Sequence, residues 1–575
     1  MLRRKFLGVL FAYALLFPTL ALAQSAQKSS TAPVRTEKVY TAPDDVIARI
    51  KDEGMNRSQI MNKLSYLTDV IGPRLTNSPN MKRANEWTRD TMLKMGMQNA
   101  KLEPWGPFGR GWALKSFSAQ VNEPTSYPVI SFPKAWSPST KGAVTADVVY
   151  LDINSDEDFA KYKGKLAGKI VFISKPRELK AEFEPNAERW SDEQLAKMAS
   201  APAAVQGRAP QANRPAEPTP EQQARIRQFQ VAQKIGGFVL EEGAAVIVDN
   251  SRIGSGGTVF VSSASAVPAP VPAGQPAPTG AAARGRSAAY SKENESRMLP
   301  QMTMATEDYN RIVRMIQQGA KPRMTVNIQA QYYDDDLMGY NTVAEIPGTD
   351  PKLKDEIVML GGHLDSWHAG TGATDNAAGC AVAMEAVRIL LASGLKPRRT
   401  IRVALWSGEE QGLNGSREYV SQKFGTMTGG GGFGQQAADA PKPALETKPE
   451  YDKLSVYYNL DNGTGKIRGV YMQGNAAVRP YFEAWLRPFN DMGATTLTMQ
   501  NTGGTDHLSF DRIGLPGFQF IQDEIEYDTR THHSNQDNYD RIQAEDMKQA
   551  ATIMAAFVYQ SAMMDEMMPR KPVAQ

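Results

Sequence analysis

The chain has 575 residues, and its 65 Lys+Arg against 62 Asp+Glu leave a formal net charge of +3, with 41% hydrophobic and 22% charged residues. A chain of this length exceeds what one hydrophobic core supports, so two domains, or one domain with a large insertion, are expected. The near balance of charge, with no dense basic run beyond the first residues, excludes the electrostatic footprint of a nucleic-acid binder.

At the amino terminus Arg3, Arg4 and Lys5 precede the apolar run Phe6 to Leu22. Ala21-Leu22-Ala23 offers small residues before a cut ahead of Gln24, so residues 1–23 read as a signal peptide. Pro18 and the shortness of the run argue against a retained membrane span, so no stable membrane association is expected after cleavage. The Arg3-Arg4 pair matches a twin-arginine export signal, and the destination is periplasmic or secreted. Cys380 is the sole cysteine, which excludes an internal disulfide, and its apolar surroundings make it a small buried residue.

After a linker over 24–42, apolar spacing predicts helices over 44–53 and 82–95, separated by Gly72-Pro73-Arg74-Leu75-Thr76-Asn77. These fall in the first part of a catalytic domain, 43–116. From 117 to 333 the texture becomes short β-rich runs, such as 144–151, 169–174 and 244–248, and reads as an inserted domain. Two stretches within it, 198–223 and 264–289, are dominated by Ala, Pro, Gln and Gly and are expected as mobile surface loops. From 334 to 575 strands and helices alternate: strand 357–360, helix 377–392, strands 401–406, 455–460 and 517–521, and a final helix near 546–564, an α/β pattern. Gly394 with Pro397 stops the first of these helices. Gly429 to Gly432 lack the Lys-Ser/Thr of a phosphate loop, so 425–434 is a flexible connection. Met547, Met554, Met563 and Met564 fall near helical spacing and read as core packing.

The five histidines, His363, His368, His507, His532 and His533, all lie in this last part. His363, the pair Glu409-Glu410 and Asp461 each sit just beyond an apolar strand, where open α/β sheets place their ligands. Asp375 follows a loop containing Gly370, Gly372 and Ala373 on the same rim. Mixed imidazole and carboxylate donors suit zinc, and a pair of ions needs one bridging carboxylate, for which Asp375 is the candidate. In the glutamate pair one carboxylate can ligate while its neighbour takes a proton from water. Two adjacent glutamates alone would describe a solvated turn; together with His363-x-Asp365, Asp375 and His533-Ser534-x-x-Asp537 they describe a site. Asp365 is placed to hold the His363 imidazole. His507 and His532 stay open between substrate contact and structural hydrogen bonding, and His368 is assigned to the loop surface.

Several words in the chain resemble the co-catalytic zinc exopeptidases of the leucyl aminopeptidase and glutamate carboxypeptidase type. They are Gly361-Gly362-His363-Leu364-Asp365-Ser366-Trp367, Gly372-Ala373-Thr374-Asp375-Asn376, Leu405 to Gly412, Gly504-Thr505-Asp506 and His532-His533-Ser534 with Asp537. Val70 to Leu75 and Asn341 to Ile346 extend the resemblance over nearly the whole mature chain. It implies a mixed, mostly parallel sheet flanked by helices with a β-rich protease-associated insertion. It further implies two Zn2+ ions, with His363 and Asp461 on one, Glu410 and His533 on the other, Asp375 bridging and Glu409 as general base. The implied activity is hydrolysis of dipeptides or short peptides from one end. The alternatives are a single-zinc acyl transferase of the glutaminyl-cyclase kind and a non-catalytic, receptor-like ectodomain. Which peptide end is read, and whether the chain is a monomer or a homodimer, stay open.

Overall fold

The computed structural model describes residues 39–202, 220–271, 285–428 and 444–571. The expected signal peptide, most of the linker, and the Gly429–Gly432 run lie outside the described residues.

The helix Asp44–Asn56 opens with Asp44 and Asp45, whose charges favour a helix amino terminus, and buries Val46, Ile47 and Ile50. The helix Pro79–Lys94 starts at a serine cap, Ser78 accepting from the Met81 amide at 3.1 Å, with proline in the first turn. The first of these packs on the helices Ala544–Met563 and Ala378–Ala392, and the second packs on the edge of an eight-stranded sheet. Its order is Gln98–Trp105, Gly339–Ile346, Thr400–Trp406, Ile357–His363, Leu454–Asn459, Gly517–Gln522, Ile467–Tyr471 and Thr496–Thr498. The four central strands run parallel, antiparallel pairings join Gly339–Ile346 and Ile467–Tyr471 to them on either side, and the edge strands Gln98–Trp105 and Thr496–Thr498 add antiparallel and parallel respectively.

Side chains in these central strands alternate between two apolar layers, as the two-residue period of a strand requires. Val358, Leu360, Val403, Leu405, Val456 and Tyr458 join a core with the helices Ala378–Ala392 and Ala544–Met563. Ile357, Met359, Ala404, Trp406 and Tyr457 join Tyr419 and Phe510 on the opposite face. The result is a mixed α/β sheet flanked by helices. Cys380 is fully buried in the first layer, and Gly394 ends its helix at φ +67. Met547 and Met554 are fully buried in the same core, as their spacing suggests.

A second eight-stranded sheet is built from strands between Gly111 and Tyr333. Its apolar core includes Val121, Val148, Phe172, Val248, Met304 and Ile328. Two features here differ from the sequence expectation. A helix, Pro220–Glu241, occupies part of the region read as β-rich and buries Ile235 and Val239. In the stretch expected as a surface loop over 264–289, the described residues at either end are anchored, because Ala264, Ala266 and Ala289 pack against Trp112 and Trp136. Small side chains let the backbone lie flat on two indoles, which composition alone does not reveal. Residues 203–219 and 272–284 of the two Ala/Pro-rich stretches lie outside the described residues.

Candidate metal centre

His363 ends its strand, and its side chain is 1% exposed. The ring Nδ1 lies 3.0 Å from the carbonyl oxygen of Asp365. A carbonyl only accepts, so Nδ1 carries the proton and Nε2 presents its lone pair. That lone pair faces Oδ1 of Asp375 and Oδ1 of Asp461, each at 3.2 Å. Three electron-rich atoms pointing at one another in a buried space repel unless a cation or a proton lies between them. Burial by itself depresses the basicity of the His363 ring, but the nearby Asp461 and Glu409 carboxylates outweigh it and raise its pKa well above the ordinary histidine value.

Asp375 lies in the turn Ala373–Ala377 ahead of the helix Ala378–Ala392, and its peptide bond to Asn376 is cis. The Asp537 carboxylate accepts from the amides of Thr374 at 2.6 Å and Asp375 at 3.1 Å. The buried guanidinium of Arg74 donates to the carbonyl oxygens of Leu364 and Gly372 at 2.7 Å and of Thr371 at 2.8 Å, fixing the loop between His363 and Asp375. Burial would raise the Asp375 carboxyl, yet the imidazoles of His363 and then His533 beside it hold it well below the usual range.

The glutamate pair leaves the strand Thr400–Trp406 through Ser407 and Gly408. Gly408 sits at φ +71, where a side chain would also strike the Trp105 ring. The amides of Glu409 and Glu410 donate to the two carboxylate oxygens of Asp365, each at 3.3 Å. Glu410 Oε2 stands 2.9 Å from His533 Nε2, which is 3.3 Å from Asp375 Oδ2. Burial, then the negative charges of Asp461, Asp506 and Glu410, raise the Glu409 carboxyl well above the ordinary value against the opposing His363.

All five expected ligands therefore converge, with Glu409 among them. Asp375 Oδ2 and Glu410 Oε1 are buried without a hydrogen-bond partner. Among the described residues His363, Asp375 and Asp461 form one potential ligand group, and Asp375, His532 and His533 form another, with Asp375 common to both. An imidazole lone pair facing two carboxylates, together with orphaned carboxylate oxygens, suits divalent cations with mixed N/O preference such as zinc.

Two placements differ from expectation, those of Asp365 and His368. The Asp365 carboxylate lies 3.6 Å from His363 Nδ1 and is engaged chiefly by the two glutamate amides and the Thr76 hydroxyl at 2.8 Å; its backbone carbonyl orients the imidazole instead. His368 is not loop surface: it donates from Nε2 to the Pro133 carbonyl at 2.7 Å and packs edge-on against Trp112, and burial depresses its pKa to about 4. His532 stacks on Tyr527 at 4.7 Å between ring centroids, with Nε2 3.9 Å from Asp375. His507 is wholly buried against the Gln473 amide and belongs to neither ligand group. Two contributors had no assigned role. Burial pushes the Asp506 carboxyl up to about 7 close to the centre. Burial, and then the carboxylates of Asp375, Asp461, Glu410 and Glu409, raise the Tyr527 phenol well above its ordinary value and keep it a neutral donor.

Residues 341–558 match the profile of peptidase family M28, and the resemblance carried by the motifs is to that family. Among individual proteins, carboxypeptidase Q of Mus musculus is 25% identical over 521 residues, covering 90% of this chain and 88% of its own. The fold is shared with the peptidase M28 precursor of Shewanella amazonensis, at a TM-score of 0.58 and 21% identity over 92% of this chain and 98% of the other. It is also shared with BSAP, a zinc aminopeptidase of Bacillus subtilis, at a TM-score of 0.50 and 16% identity over 88% and 95% of the two chains. These relatives support reading the chain as a metallopeptidase.

Proposed function

We propose that the protein is an exported, zinc-dependent exopeptidase that hydrolyses dipeptides or short peptides with two zinc ions. The observation that carries this reading is the division of Asp375: Oδ1 faces His363 beside Asp461, while Oδ2 faces His533 beside Glu410. His363 and Asp461 would hold one ion, Glu410 and His533 the other, with Asp375 shared. Bound zinc supplies Lewis acidity toward a peptide carbonyl and makes water acidic near neutral pH. Glu409 takes the proton of the attacking water and returns it to the amine of the departing residue; a buried carboxylate with a raised pKa is suited to both transfers. Asp365 holds the turn that aims Glu409 and Glu410, and the phenol of Tyr527 offers a neutral donor at the mouth.

The second sheet is proposed as a protease-associated insertion covering 117–333, between catalytic parts 43–116 and 334–575. Export rests on the expected signal peptide; among the described residues no helix is long and apolar enough to cross a membrane. The test counts zinc by mass spectrometry in the purified protein while assaying dipeptides. Two zincs per chain with hydrolysis are expected, and Asp375→Ala should lose both metal and activity. A single zinc in the active wild-type protein, or full occupancy in D375A, would remove the shared-carboxylate reading.

A further inference from the structure

A cavity of about 590 Å³ opens where residues 59–66, the second half of the helix Pro79–Lys94 and the last turns of the helix Ala378–Ala392 meet. Its volume lies within the range of small-molecule sites. The helix Ala378–Ala392 starts beside the turn that carries Asp375, but Arg388 stands about 15 Å further along its axis, at 1.5 Å per residue. The cavity is therefore apart from the metal centre and takes no part in the proposed hydrolysis. Part of its wall is aromatic: Tyr66 stacks on Trp87 with ring centroids 4.7 Å apart and planes 13° from parallel, and Tyr66 is 39% exposed. Met95 and Leu391 add apolar lining.

The charged lining is all of one sign. Lys63, Lys94 and Arg388 line the cavity, and no acidic side chain does. Lys63 and Arg388 are 5% and 7% exposed. Glu385, fully buried, accepts from Lys63 Nζ at 2.6 Å, Arg388 Nη2 at 2.8 Å, the Gln59 amide at 2.8 Å and the Ser58 hydroxyl at 3.1 Å. The other terminal nitrogen of Arg388 donates to Glu53 at 2.5 Å. Such a network ordinarily does no more than lock helices together, yet this one leaves donors without acceptors. Arg388 Nε is buried with no hydrogen-bond partner, and Glu385 is the sole acceptor for the Lys63 ammonium among the described residues. Burial also lowers the basicity of Lys63 against the pull of Glu385, a cost that an anion in the cavity would offset. One guanidinium N–H and one ammonium remain, a set that matches the two oxygens of a carboxylate better than the three of a phosphate.

We propose that this cavity binds a small aromatic carboxylate, its ring against Tyr66 and Trp87 and its charge between Lys63 and Arg388. The proposal stands independently of the peptidase reading. Calorimetric titration of the zinc-loaded protein with 2-naphthoate tests it, beside 2-naphthamide and 2-naphthyl phosphate. The wild type should bind the naphthoate saturably and the uncharged amide about tenfold or more weakly, with the phosphate no tighter than the carboxylate. K63M removes the ammonium but leaves Glu385 its other donors, so it should fold and weaken naphthoate binding about tenfold to a hundredfold, the scale of a lost hydrogen bond to a charged group. Y66A, at a partly exposed position, should weaken it about fivefold through the lost ring. Removal of zinc by a chelator should leave naphthoate binding unchanged, which separates the cavity from capture of the carboxylate by the metals. The proposal is overturned by no saturable binding, by an amide that binds as well as the acid, by a phosphate that binds more tightly, or by binding that disappears with the zinc and survives in K63M and Y66A. Should K63M fail to fold, Y66A and the comparison of acid with amide decide alone.

Discussion

Glu409 and Glu410 are chemically identical neighbours whose surroundings separate them. Glu410 points at His533, while Glu409 is buried beside His363 and Asp461 with its carboxyl pushed well above the ordinary range. Replacing Glu409 by glutamine keeps the shape and the hydrogen bonds of the turn but removes the proton acceptor. Glu409→Gln should therefore retain zinc and lose on the order of a hundredfold or more in kcat. Steady-state kinetics with metal analysis on the same sample checks this, and unchanged turnover would take Glu409 out of the mechanism. Among the candidate ligands, His363, Glu410 and Asp461 were legible because each follows an apolar strand, and Asp375 because it precedes a helix; His533 has no such position and was read from the pattern His533-Ser534-x-x-Asp537. Asp365 was only half legible. Its spacing from His363 marked it as a partner of that imidazole, but which of its atoms meets the ring depends on backbone geometry that spacing does not encode. Arg74 was recognised only within a matching word, and Thr76 only as part of the turn between two helices. Their partners, Asp365 and the 364–372 loop, lie nearly three hundred residues away in the chain.

At the scale of elements, the parallel strands were readable because each shows a continuous apolar run, the mark of burial on both faces. Their observed bounds fall within a few residues of the expected ones, as Thr400–Trp406 and Gly517–Gln522 illustrate. The strands Gln98–Trp105 and Ile467–Tyr471 went unread because their apolar residues are sparse and their pairing is antiparallel to distant partners. Also hidden in sequence was the strap that joins the second sheet's part of the chain to the segment leading into His532 and His533. Glu188 and Ile525 exchange backbone hydrogen bonds at 2.9 and 2.8 Å. Arg189 reaches the fully buried Asp523 at 2.8 Å and Asp546 at 2.7 Å, and Asp523 also receives Arg468 at 3.1 Å and the Trp190 amide at 3.0 Å. Because Arg189 is 44% exposed, solvent screens its share of this network. Arg189→Ala should cost about 1–2 kcal/mol in urea unfolding, since Arg468 and Trp190 still satisfy Asp523. It should also hasten proteolytic cutting within 175–190. A variant as stable and as resistant as the wild type would show the strap to be held by its backbone pairing alone.

Across the whole molecule, the metal centre concentrates buried carboxyl groups at one end of the central sheet, which makes stability depend on pH and on zinc together. Burial holds Asp506 and Asp537 at about 7, against an unfolded value near 4. Below about pH 4 both folded and unfolded chains keep these protons, so the groups impose no penalty. Between about pH 4 and 7 the unfolded chain releases protons that the folded chain retains, so stability falls as pH rises. Above about 7 the full cost is present. The upward shifts of Glu409 and Glu410 act in the same sense, and so does His363, whose stabilising contribution is lost as pH passes its raised folded value. Asp375 runs the other way: its depressed carboxyl contributes stability above its unfolded value that disappears as pH falls below about 4. His368, His507, His532 and His533, all depressed first by burial, likewise make stability rise with pH up to their unfolded value near 6.5, so that they oppose the raised carboxyl groups. Zinc reverses the dominant trend, since its ligands bind best when deprotonated and binding to the folded state alone adds stability. Chelator-treated protein should melt several degrees lower at pH 8 than at pH 5. Zinc should raise the melting temperature far more at pH 8, so that the gap between loaded and stripped protein widens with pH. Calorimetric scans across that range decide the matter: stripped protein that grows more stable from pH 5 to pH 8 would mean that the raised carboxyl groups do not outweigh the depressed histidines.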